Sequence, residues 1–100
     1  NYSTHVFSRE AIRIIRDYSS THKEQEQQQE EPLFLYLAYQ ACHHPDQVPE
    51  SYSHRYQHHP HWSDLRKTYA GMLTAGDEGI KNVTNTLKEM GLWDDTLVVF

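Results

Sequence analysis

Residues 32–38 read PLFLYLA, and this run carries the strongest fold signal in the chain. Every position from Leu33 to Ala38 is apolar, rather than every second position. A strand that is covered on both faces, as in a parallel sheet flanked by helices, has this composition. A helix is less favoured, because the run is short and lies between Pro32 and the turn at His43-His44-Pro45. We therefore expect a buried strand at 33–38.

A long helix is expected further along the chain, over about Asp64–Met90. Its apolar residues keep to one stripe at helical spacing. Ser63 is a suitable N-cap, and Gly91 stands where a glycine commonly closes a helix. A shorter helix with the same periodicity is expected over about Ser8–Tyr18, with Ser8 as its N-cap.

Three prolines at positions 45, 49 and 60 predict a long loop between the strand and the long helix, with a helical turn near 50–56. Residues 96–100 read TLVVF, which indicates a second buried strand. Strand, helix and strand in this order suggest a crossover unit with parallel strands, and hence an α/β fold.

The polar stretch 19–31 is rich in Gln and Glu and cannot bury apolar surface, so we expect a solvated surface insertion there. An extension of the first helix is the alternative, because Glu, Gln and Lys are good helix formers. The chain begins without Met and stops inside an apolar run. We interpret it as an internal segment with both flanks missing.

Composition argues against two classes of partner. The 100 residues carry a formal net charge of -5, and no basic face for nucleic acid is visible. No apolar run approaches the roughly 20 residues that a membrane span requires. The single cysteine, Cys42, has no partner for an internal disulfide.

The residue of chemical interest is His43, in the segment that leaves the first predicted strand. Ligands of open parallel sheets bind beyond the carboxyl ends of the strands. A histidine there can donate a hydrogen bond to an anion or act as a general acid near neutral pH. On this reasoning alone, a loop histidine with no visible partner is more often a solvated residue, and that interpretation stays open.

The order of several motifs resembles the type I sulfatase family, in its arylsulfatase B-like branch. The apolar run 32–38 followed by His43-His44-Pro45 is similar to the family's strand and His-x-Pro motif. The likeness continues through Asp46–Glu50, Tyr69–Met72 and Gly91–Trp93, and it spans nearly the whole chain except the Gln/Glu stretch.

The resemblance implies an alkaline-phosphatase/sulfatase-like sandwich, with a mostly parallel sheet flanked by helices, of which residues 1–100 are an internal part of the catalytic domain. It implies sulfate ester hydrolysis by the full-length protein and an inactive isolated segment. His43 would contact the sulfate or bridging oxygen of the substrate and so would be both a catalytic and a substrate-binding residue. The family's formylglycine and calcium ligands would lie outside this chain, because Cys42 lacks the maturation motif and no metal ligand is recognised. The substrate would be a sulfated small molecule or a glycosaminoglycan-type sugar.

Asn82-Val83-Thr84 is an N-glycosylation sequon, and Asn82 lies nearly opposite the apolar stripe of its helix. A second, weaker sequon begins at Asn1. Together with the resemblance, these sequons predict a lysosomal or secreted glycoprotein.

Two other functions are consistent with parts of the sequence. One is a histidine-rich metal site, because His54 and His58 would share one face of a helix, with His59 and His61 close by. The other is a non-catalytic helical interaction module that uses the Gln/Glu stretch.

Overall fold

Two long helices and a returning extended segment form the body of the molecule. The structure is a computed structural model that describes residues 2–24 and 31–100. The molecule is elongated, with extents of 60 × 21 × 21 Å. The elements are α1 (Ser3–Glu24), α2 (Glu50–Ser53) continued by a 3₁₀ turn (His54–Tyr56), α3 (Asp64–Glu89) and a 3₁₀ turn (Trp93–Asp95).

Helices α1 and α3 lie side by side and run in the same direction. Gly79 of α3 approaches Ser8 near the start of α1. Towards the other end, Arg16 Nη2 lies 3.9 Å from Glu89 Oε2. Two parallel helices require a connection that travels back along them, and the intervening chain supplies it.

The returning connection is the extended segment 31–40. At its beginning, the Tyr18 hydroxyl donates to the Glu31 carbonyl over 3.0 Å. At its end, the Tyr39 hydroxyl lies 2.7 Å from Ser8 Oγ. The segment therefore runs antiparallel to α1.

The apolar core lies where α1, α3 and this segment meet. The buried members of this cluster are Ala11, Ile15, Val83 and Leu87, and the half-buried residues packed against it are Ile12, Leu33, Leu35, Leu37, Met90 and Leu92. Burial of one aliphatic side chain contributes about 1.5–3 kcal/mol, so this small cluster holds the two helices together.

The prediction of an α/β fold with a parallel sheet is wrong for this structure: residues 2–24 and 31–100 contain no β-strand. The segment 31–40 is extended, but no neighbouring segment in the described part of the chain forms a ladder with it. Its side chains alternate. Leu33, Leu35 and Leu37 are half-buried against the helices. Phe34 is 90% exposed and Tyr36 is 82% exposed.

The second predicted strand is wrong for the same reason. Residues 96–100 have no strand assignment, and Leu97 is 89% exposed. Apolar composition predicted burial on both faces, whereas helices cover only one face of the first segment and little of the second.

The predictions of the long helix and of the helical turn before it are confirmed. Helix α3 matches its predicted range to within one residue; Ser63 Oγ accepts from the Arg66 backbone N–H, and Gly91 has φ +72°. The predicted helical turn near 50–56 is confirmed by α2 and its 3₁₀ turn.

Ser8 as the N-cap of the first helix is wrong, because α1 begins five residues earlier, at Ser3. The same helix continues to Glu24, into the stretch predicted as a surface insertion. The part of that prediction that falls on residues 25–30 lies outside the described residues. No helix in the described ranges is both long and apolar enough to cross a membrane.

Candidate functional site

An open cleft lies where the loop after the extended segment meets the beginning of α1 and the middle of α3. Its volume is about 850 Å³. Tyr2 and Ser3 line one side, the loop 39–45 lines another, and Met72 of α3 contributes to the wall. None of the lining residues in the described chain carries a carboxylate, although the chain as a whole has a net charge of -5. The cleft therefore presents two histidine side chains and no carboxylate in its own lining, while the Asp46 carboxylate outside the lining lies 2.9 Å from His44 Nδ1.

His43 lies in this cleft at the end of a tight turn. The backbone N–H of His43 donates to the Gln40 carbonyl over 3.1 Å. The turn requires Cys42 to adopt φ +62°, a left-handed conformation that is unfavourable for a residue with a side chain. The His43 side chain is exposed, so a ligand can reach it.

A hydrogen bond sets the protonation pattern of the His43 ring. Its Nδ1 lies 2.9 Å from the His44 carbonyl oxygen. A carbonyl oxygen only accepts, so Nδ1 must carry the proton. The other nitrogen, Nε2, is then an acceptor when the ring is neutral and a donor when the ring is protonated.

The next residues of the loop are held by a second contact. His44 Nδ1 lies 2.9 Å from Asp46 Oδ2, and the Asp46 side chain is only 13% exposed. Because the carboxylate accepts, His44 donates from Nδ1. The same residue, His44, thus bonds Asp46 through its ring and His43 through its carbonyl.

The far end of the loop is anchored to both long helices through Tyr52, which is 8% exposed. The Tyr52 hydroxyl donates to Glu78 Oε2 of α3 over 2.7 Å, and His5 Nε2 of α1 lies 3.0 Å from the same hydroxyl. Arg55 Nη1 donates to the other Glu78 oxygen over 2.6 Å. These bonds fix the short helix α2 and therefore the point at which the cleft loop ends.

The contacts and the burial of this network shift the pKa values of its members, Glu78 and Tyr52 among them. The hydrogen bond from Arg55, followed by that from Tyr52, lowers the pKa of Glu78. Burial raises the pKa of Tyr52 most, because it disfavours the charged phenolate, and Glu78 adds to the effect. Glu78 is therefore held as a carboxylate and Tyr52 as a neutral donor.

The histidine-rich turn does not form a metal site in this structure. His54 Nε2 lies 2.8 Å from Glu50 Oε1. His59 instead stacks on Trp62 with ring centroids 4.2 Å apart, and Arg66 lies over the same indole at 4.5 Å. Burial, followed by repulsion from His58, lowers the pKa of His59. Across residues 2–24 and 31–100, no group of three His, Cys, Asp or Glu side chains is placed to hold a metal ion.

Comparison with known proteins then identifies the family. The sulfatase family model matches residues 1–100. The chain belongs to the sulfatase family. It is 34% identical over 100 residues to arylsulfatase J of Mus musculus, an alignment that covers 99% of this chain and 15% of that protein. It is 31% identical over 71 residues to the uncharacterized sulfatase YdeN of Escherichia coli K12, covering 71% of this chain and 12% of that protein. No solved structure matches the chain.

These matches confirm the resemblance to sulfatases that the motifs indicated. Nearly all residues of the chain align with arylsulfatase J, but they span only about one seventh of that protein's length. This sulfatase segment provides no fitting calcium site among its described residues. Cys42, the single cysteine, also lacks the motif for formylglycine, so neither group has a site among the described residues.

Sequence reasoning missed two features of the site. It gave His44 no role, although His44 links Asp46 to His43. It also missed Tyr2, which lines the cleft and whose buried hydroxyl has no hydrogen-bond partner within the described ranges. The two-residue spacing of His44 and Asp46 across a proline was a usable signal, whereas nothing in the sequence singled out Tyr2.

Proposed function

We propose that the full-length protein hydrolyses sulfate esters of aryl or sugar alcohols, and that this segment supplies His43 to the sulfate group of the substrate. Membership of the sulfatase family supports the reaction class. The observation that carries the role of His43 is its place in an open cleft whose lining lacks carboxylates. A sulfate ester is an anion, and such a lining does not repel it.

The chemistry of His43 follows from its hydrogen bond. When a sulfate ester is cleaved, negative charge grows on the bridging oxygen, and a donor placed there lowers the barrier. Since the Nδ1 proton is directed to the His44 carbonyl, donation to the substrate must come from Nε2. Nε2 carries a proton only in the imidazolium form. The active form of His43 is therefore protonated.

The test is steady-state hydrolysis of 4-nitrophenyl sulfate by the full-length protein. His43→Ala should lower kcat by about 10²–10⁴-fold, the usual contribution of a positioned acid or base. His54→Ala is the matched control, because His54 is exposed, pairs with Glu50 and lies outside the cleft. Unchanged turnover in His43→Ala would refute the role.

A lysosomal or secreted location, with an N-linked glycan on Asn82, is part of the same proposal. Asn82 is exposed on α3, so an attached glycan would not disturb the helix pair. Expression of the full-length protein through the secretory pathway tests it. Asn82→Gln should lower the mass by one glycan, and Asn85→Gln, an exposed asparagine without a sequon, should not. Equal masses for wild type and Asn82→Gln exclude the modification.

A further inference from the structure

The loop contains a carboxylate that the proposed reaction does not use. Asp46 is nearly buried, with a side chain 13% exposed, and its Oδ2 accepts from His44 Nδ1 over 2.9 Å. The His44 side chain is 83% exposed. An exposed histidine has several rotamers available, and a hydrogen bond to a largely buried carboxylate favours one of them.

That contact bears on the residue next to it. Restricting the His44 side chain restricts the backbone from which it projects, and the carbonyl of this same residue accepts from His43 Nδ1 over 2.9 Å. Two bonds therefore run in series, from Asp46 to the His44 ring and from the His44 carbonyl to the His43 ring. The second bond determines which nitrogen of His43 faces a substrate.

We propose that Asp46 is a positioning residue: through His44, it holds the His43 ring with Nε2 directed into the cleft. The inference rests on the proposed function of His43 and deepens it. Asp46 is absent from the cleft lining, so it acts without touching the substrate. A small misplacement of a reacting group can lower a rate by up to about 10²-fold. Loss of one tether, with the others intact, should lower it less.

The experiment measures kcat, KM and melting temperature of the full-length protein with 4-nitrophenyl sulfate. Asp46→Ala should lower kcat about tenfold and leave KM and the melting temperature close to those of the wild type. Asp46→Asn keeps an oxygen that accepts from His44 and should restore most of kcat. Asp95→Ala removes an exposed acid outside the cleft and should change neither constant.

Two further variants separate positioning from a general structural role. His44→Ala should reproduce the loss seen in Asp46→Ala, because it removes the other end of the contact while keeping the carbonyl. In a His43→Ala background, Asp46→Ala should cause no further loss, because the group that it positions is already missing.

The outcomes separate the two proposals. If His43→Ala is impaired but Asp46→Ala matches the wild type, the positioning role is overturned and the role of His43 stands. An Asp46→Ala loss that persists in the His43→Ala background, or an Asp46→Asn variant as poor as Asp46→Ala, also overturns positioning. Full activity of His43→Ala removes the proposed role of His43 itself.

Discussion

Helix α3 lies close against α1 at Gly79, and adding one methyl group there should destabilise the protein. A Cβ at position 79 would lie 2.5 Å from Ser8 Oγ and 2.9 Å from Tyr39 Oη. Both distances are shorter than carbon and oxygen atoms tolerate without a bond. Either the helices separate or the Ser8 side chain rotates away.

Both responses cost free energy. Overpacking of a well-filled contact costs about 1–3 kcal/mol. Rotation of Ser8 would break its bonds to the Thr4 carbonyl and to Tyr39, which span 2.8 and 2.7 Å, at about 1 kcal/mol each. Replacement of a mid-helix glycine by alanine returns about 1 kcal/mol of helix propensity. After this gain is subtracted, we expect Gly79→Ala to lower the free energy of unfolding by about 1 kcal/mol.

Gly76 provides a matched control on the same helix. There an added Cβ would meet only the Ala41 methyl group at 3.9 Å, an ordinary contact. Gly76→Ala should thus stabilise the protein by up to about 1 kcal/mol. Urea unfolding of the full-length variants measures both values. In addition, Ser8→Ala should recover part of the Gly79→Ala loss, because it removes the nearer oxygen. A Gly79→Ala protein as stable as Gly76→Ala would refute the packing argument.

Three further outcomes are expected. Tyr52→Phe should lower the free energy of unfolding by about 1–2 kcal/mol, because Glu78 loses a buried hydroxyl donor, and urea titration measures it. Folding lowers the pKa of Glu78 from 4.5. The Glu78 carboxylate therefore stabilises the fold fully above about pH 4.5, and this stabilisation is lost as the pH falls through the folded-state pKa. Below about pH 4.5, the melting temperature of Glu78→Gln should decline less steeply than that of the wild type. Cys42→Gly should melt at or above the wild-type temperature and Cys42→Val below it, since φ +62° suits glycine and costs a side chain about 1–2 kcal/mol; the reverse order would contradict the turn geometry.

Local signals predicted the helical part of the fold well. The Ser63 cap, the apolar stripe and Gly91 lie within α3 or at its ends, so the residues that set its bounds are neighbours in sequence. The predicted start of α1 is five residues too late, because Ser8 has the chemistry of an N-cap residue. Its hydroxyl is instead used inside the helix, where it bonds Thr4 and Tyr39. Only the packing of Tyr39 against α1 reveals that use.

The extended segments show the limit of composition. The run 33–38 carries enough apolar surface for burial on two faces. A strand in a sheet also needs a neighbouring segment that pairs with its backbone, and the composition of the run itself does not show whether such a segment exists. Within the described chain the helices cover Leu35, while Phe34 stays exposed.

The role of His43 stays a prediction. The structure places His43 in a cleft loop, but the expected sheet edge is missing, because no β-strand precedes this loop in the described part of the chain. The link from Asp46 depends on backbone angles that no spacing rule specifies.

The bond between the Tyr18 hydroxyl and the Glu31 carbonyl has a practical consequence for protein engineering. It fastens the beginning of the returning segment to α1, and the Tyr39 contact with Ser8 fastens its end. In general, lengthening a loop whose ends are held adds little entropy cost, about 0.6 kcal/mol for each doubling. An epitope or a fluorophore-labelling sequence inserted among the glutamines should therefore leave the cleft undisturbed, which offers a site for tracking the protein without altering its chemistry.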